Sequence, residues 1–159
     1  MLLRKSLIAD KPSKERLACI RELTDALIVA AEAQNDCTEL LFVLFDLTGV
    51  SGLDSEYFRT LYTHSSPDEF TNYACLPRAV HVPDLSREEL VDITQRAMNV
   101  GSWDCEYYME LLDVNVPLEG ASNLIFYPPE DYKGEISEYD PTAEEIVDIA
   151  TAADNVILL

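Results

Sequence analysis

Basic side chains are scarce in this 159-residue chain: 11 Lys and Arg stand against 30 Asp and Glu, a formal net charge of -19. A field that negative repels nucleic acid and anionic membranes and draws cationic partners inward, so neither nucleic acid nor a membrane surface is expected as a partner. Glycine is sparse as well, with 5 residues and no Gly-rich loop of the kind that cradles phosphate. The 2 histidines, His64 and His81, fall in expected loops, with no nucleophile motif or oxyanion-type Gly loop beside them. A pair assembled from Cys75 with His64 or His81 stays open as a catalytic arrangement, but the chain is read as a binding protein and not an enzyme. The 4 cysteines (Cys19, Cys37, Cys75 and Cys105) are widely spaced, without a CxxC pair or a Cys/His cluster. That spacing excludes a zinc site and a disulfide-dense secreted scaffold, and no cofactor is expected. Apolar runs are short: none reaches membrane-spanning length, and Met1–Asp10 is too short for a signal peptide. The expectation is a reduced, cytoplasmic protein.

What is present is enough to fold. With 48% hydrophobic and 9% aromatic residues, the chain is unlike a disordered acidic tail and can bury a core. The charge is unevenly distributed. Residues 1–84 carry 8 basic and 13 acidic side chains, whereas residues 85–159 carry Arg87, Arg96 and Lys133 against 17 acidic ones. From Asp104 to Asp148, Lys133 is the only cation among 13 carboxylates. Such a row is ordinarily a solvated face; concentrated in a folded half, it points to an electropositive partner.

Periodicity divides the chain into capped helices. Ser13 opens a helix to about Ala33, with Leu17, Ile20, Leu23, Leu27 and Ala30 at helical spacing and Cys19 on the same apolar stripe, where a buried thiol is expected. Asp36–Thr48 is nearly continuously apolar and reads as a helix or a buried strand. Asp54 caps a short helix, and Ser66-Pro67-Asp68-Glu69 starts another. Leu76–Asp84, with Pro77 and Pro83, reads as a linker between units 1–80 and 84–159. Ser86-Arg-Glu-Glu89 is a capping box, Asp104–Val114 an amphipathic helix, and Asp140-Pro141 the start of a last helix. Trp103 is expected as a core plug and Pro128–Tyr139 as a solvated loop. The blocks recur in order: Ser13-Lys-Glu-Arg-Leu17 parallels Ser86-Arg-Glu-Glu-Leu90, and Asp36-Cys37 parallels Asp104-Cys105. The chain therefore reads as two helical units of one plan.

Three blocks of the second half resemble the immunity proteins of nuclease colicins and S-type pyocins. Ser86-Arg-Glu-Glu-Leu-Val-Asp-Ile-Thr is similar to that family's first helix, Asn123-Leu-Ile-Phe-Tyr-Pro128 to its short third helix, and Asp140-Pro-Thr-Ala-Glu-Glu-Ile-Val-Asp148 to its fourth. The likeness covers about residues 84–155. It implies a four-helix bundle that blocks a basic nuclease domain, with Phe126 and Tyr127 as the aromatic binding pair beside Asn123. Asp104, Glu106, Glu110 and Asp113 would form the acidic specificity face of the second helix. Asn123 stands where the family usually has Asp, and Phe126 replaces a Tyr. Tyr57-Phe58-Arg-Thr-Leu-Tyr62 in the first half lacks the aromatic-Pro block, so that unit reads as a scaffold or as the copy that makes a homodimer.

The fold expectation is all-α, two packed four-helix-bundle-like units. The α+β alternative makes strands of Leu40–Phe45, Leu124–Tyr127 and Val156–Leu159. The functional expectation is an immunity protein against a basic toxin nuclease domain; the alternative is an acidic nucleic-acid mimic that inhibits a DNA-binding protein or restriction system. The helical reading requires a far-ultraviolet circular dichroism spectrum dominated by helix, and a sheet-dominated spectrum would select the alternative fold.

Overall fold

The computed structural model describes residues 3–152. Among these residues there is no strand, and the α-helices are α1 (Lys14–Glu32), α2 (Thr38–Thr48), α3 (Ser55–Arg59), α4 (Pro67–Cys75), α5 (Arg87–Met98), α6 (Cys105–Asp113) and α7 (Ala143–Ala150). The all-α expectation holds. Leu40–Phe45 lies within α2, and Leu124–Tyr127 runs from a short 3-10 helix, Ala121–Ile125, into the turn after it. Val156–Leu159 lies outside the described residues. The chain divides into two compact units, residues 9–78 and residues 3–8 with 79–152. The boundary falls where the linker was expected, but the N-terminal peptide belongs to the second unit and not the first.

In the unit 9–78, Ser13 caps α1 by accepting the Arg16 N–H at 3.1 Å. The buried line of α1 is Ile20, Thr24, Leu27, Ile28 and Ala31, which packs mainly on α3 and α4. Cys19 is exposed, contrary to expectation. It lies one residue, about 100° around the helix, from Ile20 and so falls off that line. Leu17, Leu23 and Ala30 form its half-buried rim. Asp54 caps α3 through the Tyr57 N–H at 2.9 Å, and Ser66 caps α4 through Glu69. These short helices deliver Phe58 and Phe70 to the core, ring centroids 5.2 Å apart and edge-on. Fully burying side chains such as Leu27, Phe58 and Leu61 contributes about 1.5–3 kcal/mol each. Arg21 pairs with Asp25 and Asp68, tying α1 to α4 at the surface.

In the other unit, α5, α6 and α7 pack around the short helix Ala121–Ile125. Ile93, Tyr108, Leu111, Leu112, Ala121, Ile146 and Val147 are buried to 0% exposure. Trp103, expected in the core, is 39% exposed in the turn before α6, because Tyr107 and Tyr108 fill the interior instead. The last helix opens at Ala143, two residues later than Pro141 suggested, since Thr142 is its cap and forms a capping box with Glu145. Buried threonines need no distant partner: Thr94, like Thr24 and Thr71, donates its hydroxyl to the carbonyl four residues back.

Glu89 closes the capping box of α5, its Oε2 accepting the Ser86 N–H at 3.0 Å. The same carboxylate is 6% exposed and takes Arg4 Nε on Oε1 at 2.6 Å and Arg4 Nη2 on Oε2 at 2.7 Å. Arg4 also reaches Asp84, while the Leu3 N–H donates to Asp92 at 2.8 Å and Leu3 and Leu7 are buried. The Arg4 hydrogen bonds, then the Ser86 N–H, hold the Glu89 carboxyl down at about 2. Because its folded pKa lies below the ordinary value of 4.5, Glu89 stabilises the folded state fully above that value. This contribution is lost as pH falls from there toward 2. Glu89→Gln should therefore flatten this part of the acid-denaturation profile and lower the neutral melting temperature by several degrees. Arg4→Ala should do the same, and equal acid profiles for wild type and both variants would contradict the assignment.

Candidate functional site

The end of α6 builds the site in the unit 79–152. Asp113, last residue of α6, accepts the Ser122 N–H at 2.7 Å and the Ser122 hydroxyl at 2.8 Å, one on each carboxylate oxygen. Gly120 precedes the short helix at φ 66, where a Cβ would come within 2.9 Å of the Asn123 amide. The Asn123 carbonyl then accepts the N–H groups of Phe126 at 3.0 Å and Tyr127 at 2.9 Å. Ala121 and Leu124 are buried beneath, and this pinning leaves Phe126 47% and Tyr127 66% exposed, their ring centroids 6.4 Å apart. The aromatic pair is presented on the surface, not spent in the core.

The expected acidic row resolves into different roles. Glu106, Glu110 and Asp113 are spaced four and three residues apart, so they share one face of α6 that leads into the short helix. Glu106 is exposed, and Glu110 and Asp113 are half-buried. Asp104 lies outside this stripe, at the N-terminal end of α6, and accepts the Ser102 hydroxyl at 2.5 Å. Asp113 works as the anchor of the aromatic turn instead of as an open charge. Asn123, exposed as a side chain, positions the pair through its backbone.

The segment after Pro128 forms a wall that the sequence pattern did not reveal. The Tyr139 hydroxyl donates to the Leu124 carbonyl at 2.5 Å, folding the loop back onto the short helix. Burial, then the nearby Glu145 charge, pushes the Tyr139 phenol above its usual range, keeping it a neutral donor. Tyr132 and Tyr139 meet edge-on at 5.3 Å and, with Glu138, Asp140, Glu145 and Asp148, line a cleft of about 510 Å³ against α7. Glu145 is engaged by the Thr142 N–H and Asp148 by Arg87 at 2.9 Å. Among the described residues no Lys or Arg lines this cleft. Two tyrosines seven residues apart in an otherwise polar segment were the available signal, but they have no helical or strand period to mark them.

Burial pushes the Cys75 thiol above its ordinary value, away from a nucleophilic thiolate. The His64 ring packs on Tyr57, and His81 Nδ1 lies 3.2 Å from the Val114 carbonyl oxygen. Among the described residues no group of three His, Cys, Asp or Glu is placed to hold a metal ion, and no helix is long and apolar enough to cross a membrane. If Asp113 anchors the aromatic turn, Asp113→Ala should cost about 1–3 kcal/mol in urea unfolding. It should also speed amide exchange at Ser122, Phe126 and Tyr127, and unchanged exchange there would remove the anchoring role.

Comparison with known proteins adds one relationship. The chain is 38% identical over 68 residues to the uncharacterized protein YezA of Bacillus subtilis (strain 168), a stretch that makes up 42% of this chain and 87% of YezA. No family model matches the chain, and no solved structure matches it. Identity of this level across most of the relative's length places the chain in one family with YezA.

Proposed function

We propose that this protein is an inhibitor of a basic macromolecule, and specifically an immunity protein that binds and neutralises the nuclease domain of a bacteriocin or contact-delivered toxin. The observation that carries the reading is the presentation of Phe126 and Tyr127, held outside the core by Asn123, Asp113 and Tyr139 on the acidic unit. Exposed aromatic anchors supply binding energy once a partner excludes water from them. A nuclease groove is built to hold phosphate, so a surface bearing Glu106, Glu110, Glu138 and Asp140 complements it and blocks substrate entry. The cleft beside Tyr132 and Tyr139 would receive one basic side chain of the partner, with an aromatic wall and carboxylates to hold it.

The test asks first whether a toxin with a basic nuclease domain is encoded next to this protein's gene, and takes that purified domain as the binding partner. Wild-type protein should bind it and abolish its activity, with association slowing as salt rises. Phe126→Ala combined with Tyr127→Ala should weaken binding by about 100-fold or more while leaving the helical spectrum unchanged. Intact affinity in that variant would reject the site. Comparable binding to several unrelated basic proteins would favour the nucleic-acid mimic over the immunity protein.

A further inference from the structure

The second helices of the two units are sealed very differently. α6 buries Cys105, Tyr107, Tyr108, Leu111 and Leu112. α2 has the more continuous apolar run but buries only Leu44 and Thr48, leaving Phe42 70%, Val43 43%, Phe45 52% and Leu47 40% exposed. Given the size of aromatic and aliphatic side chains, these four expose on the order of 400 Å² of apolar surface, an extent that marks interaction sites on folded proteins.

The helical period arranges this face in three strips. Phe42 and Phe45 form one ridge, Val43 and Leu47 another, and Glu39 and Asp46 lie on the crest between them. Glu39 and Asp46 are seven residues apart, roughly 10 Å along the axis. Both are exposed, and α2 contains no basic residue to neutralise them. Arg16 of α1 donates to the Leu47 carbonyl at the C-terminal end of α2, at 3.1 Å. A second copy of the chain fits this face poorly. Antiparallel pairing of two α2 helices sets Glu39 against Asp46, parallel pairing sets each acid against itself, and the net charge of -19 opposes association.

We propose that the outer face of α2 is a docking surface for a cationic amphipathic helix of a protein partner. Its apolar side chains seat along the two ridges, and its Lys or Arg side chains meet Glu39 and Asp46. This surface lies in the unit 9–78 and does not depend on the aromatic pair of the other unit.

The experiment titrates the full-length protein at physiological salt with a fluorescent 14-residue Leu/Lys peptide of helical periodicity, against a scrambled peptide of the same composition. The periodic peptide should bind at least tenfold more tightly than the scrambled one and shift backbone amide resonances within α2. Phe42→Ser with Phe45→Ser should weaken it at least tenfold, and so should Glu39→Gln with Asp46→Asn, a pair that leaves the apolar ridges intact. Phe126→Ala with Tyr127→Ala should leave this binding unchanged. Equal binding of the two peptides, or insensitivity to both α2 variants, overturns the proposal. So does sedimentation showing a wild-type dimer that the Phe42/Phe45 variant converts to monomer, which would make a second copy the occupant.

Discussion

Glu89 lies 6% exposed at the start of α5, in the unit with the greater excess of carboxylates, and Arg4 from the N-terminal peptide, with the Ser86 N–H, holds it charged there. A shielded carboxylate without such partners is driven to take up a proton. The paired one closes a capping box and fixes residues 3–8 to a segment more than 80 positions away. The other arginines of that unit are used in the same way. Arg87 holds Asp148 and Arg96 holds Asp92, so cations are spent bracing α5. The consequence is an asymmetric surface: the α5 side is internally compensated, whereas the stripe on α6, the short helix and the loop after Pro128 are left with Lys133 as their sole cation.

This division also explains what could be read in advance. Caps at Ser13, Asp54, Ser66 and Ser86 were legible because a cap is a contact between residues three apart. The Arg4–Glu89 pair was not, since no local pattern links residues so distant. Periodicity identifies which residues can be buried but not what covers them. Cys19 and Trp103 are apolar enough to belong in the core, yet Cys19 falls off the buried line of α1 and Trp103 lies in the turn before α6. α2 shows the same gap in the opposite sense: a nearly continuous apolar run met cover on one side only. At the candidate site the Phe126-Tyr127-Pro128 block stands out in the sequence, whereas the structural duty of Asp113 and the wall made by Tyr132 and Tyr139 depend on chain reversals that carry no period.

The two units follow one order, in which a long capped helix is followed by a second helix, a short third segment and a capped fourth. The stretch shared with YezA, 68 residues, is about the length of one such unit and covers most of YezA. A module of that size buries a modest core and is marginal alone, so its tolerance for change lies on the surface. The two units differ there. The unit 79–152 has a sealed second helix and exposes Phe126 and Tyr127 after its short third segment; the unit 9–78 buries Phe58 in its short third helix and exposes much of the second.

A protein this acidic gains speed of encounter from its charge but little affinity, because exposed ion pairs are screened and individually weak. Affinity must come from apolar groups that lose water on contact. The places where such groups emerge on the acidic surface, at Phe126 and Tyr127 and along α2, are therefore where steering and dwell time can act on the same partner surface. The excess of acidic side chains opposes close approach of a second, like-charged copy. A cationic partner would be guided by the whole field yet retained only at these points, which is how a surface of one sign can still be selective.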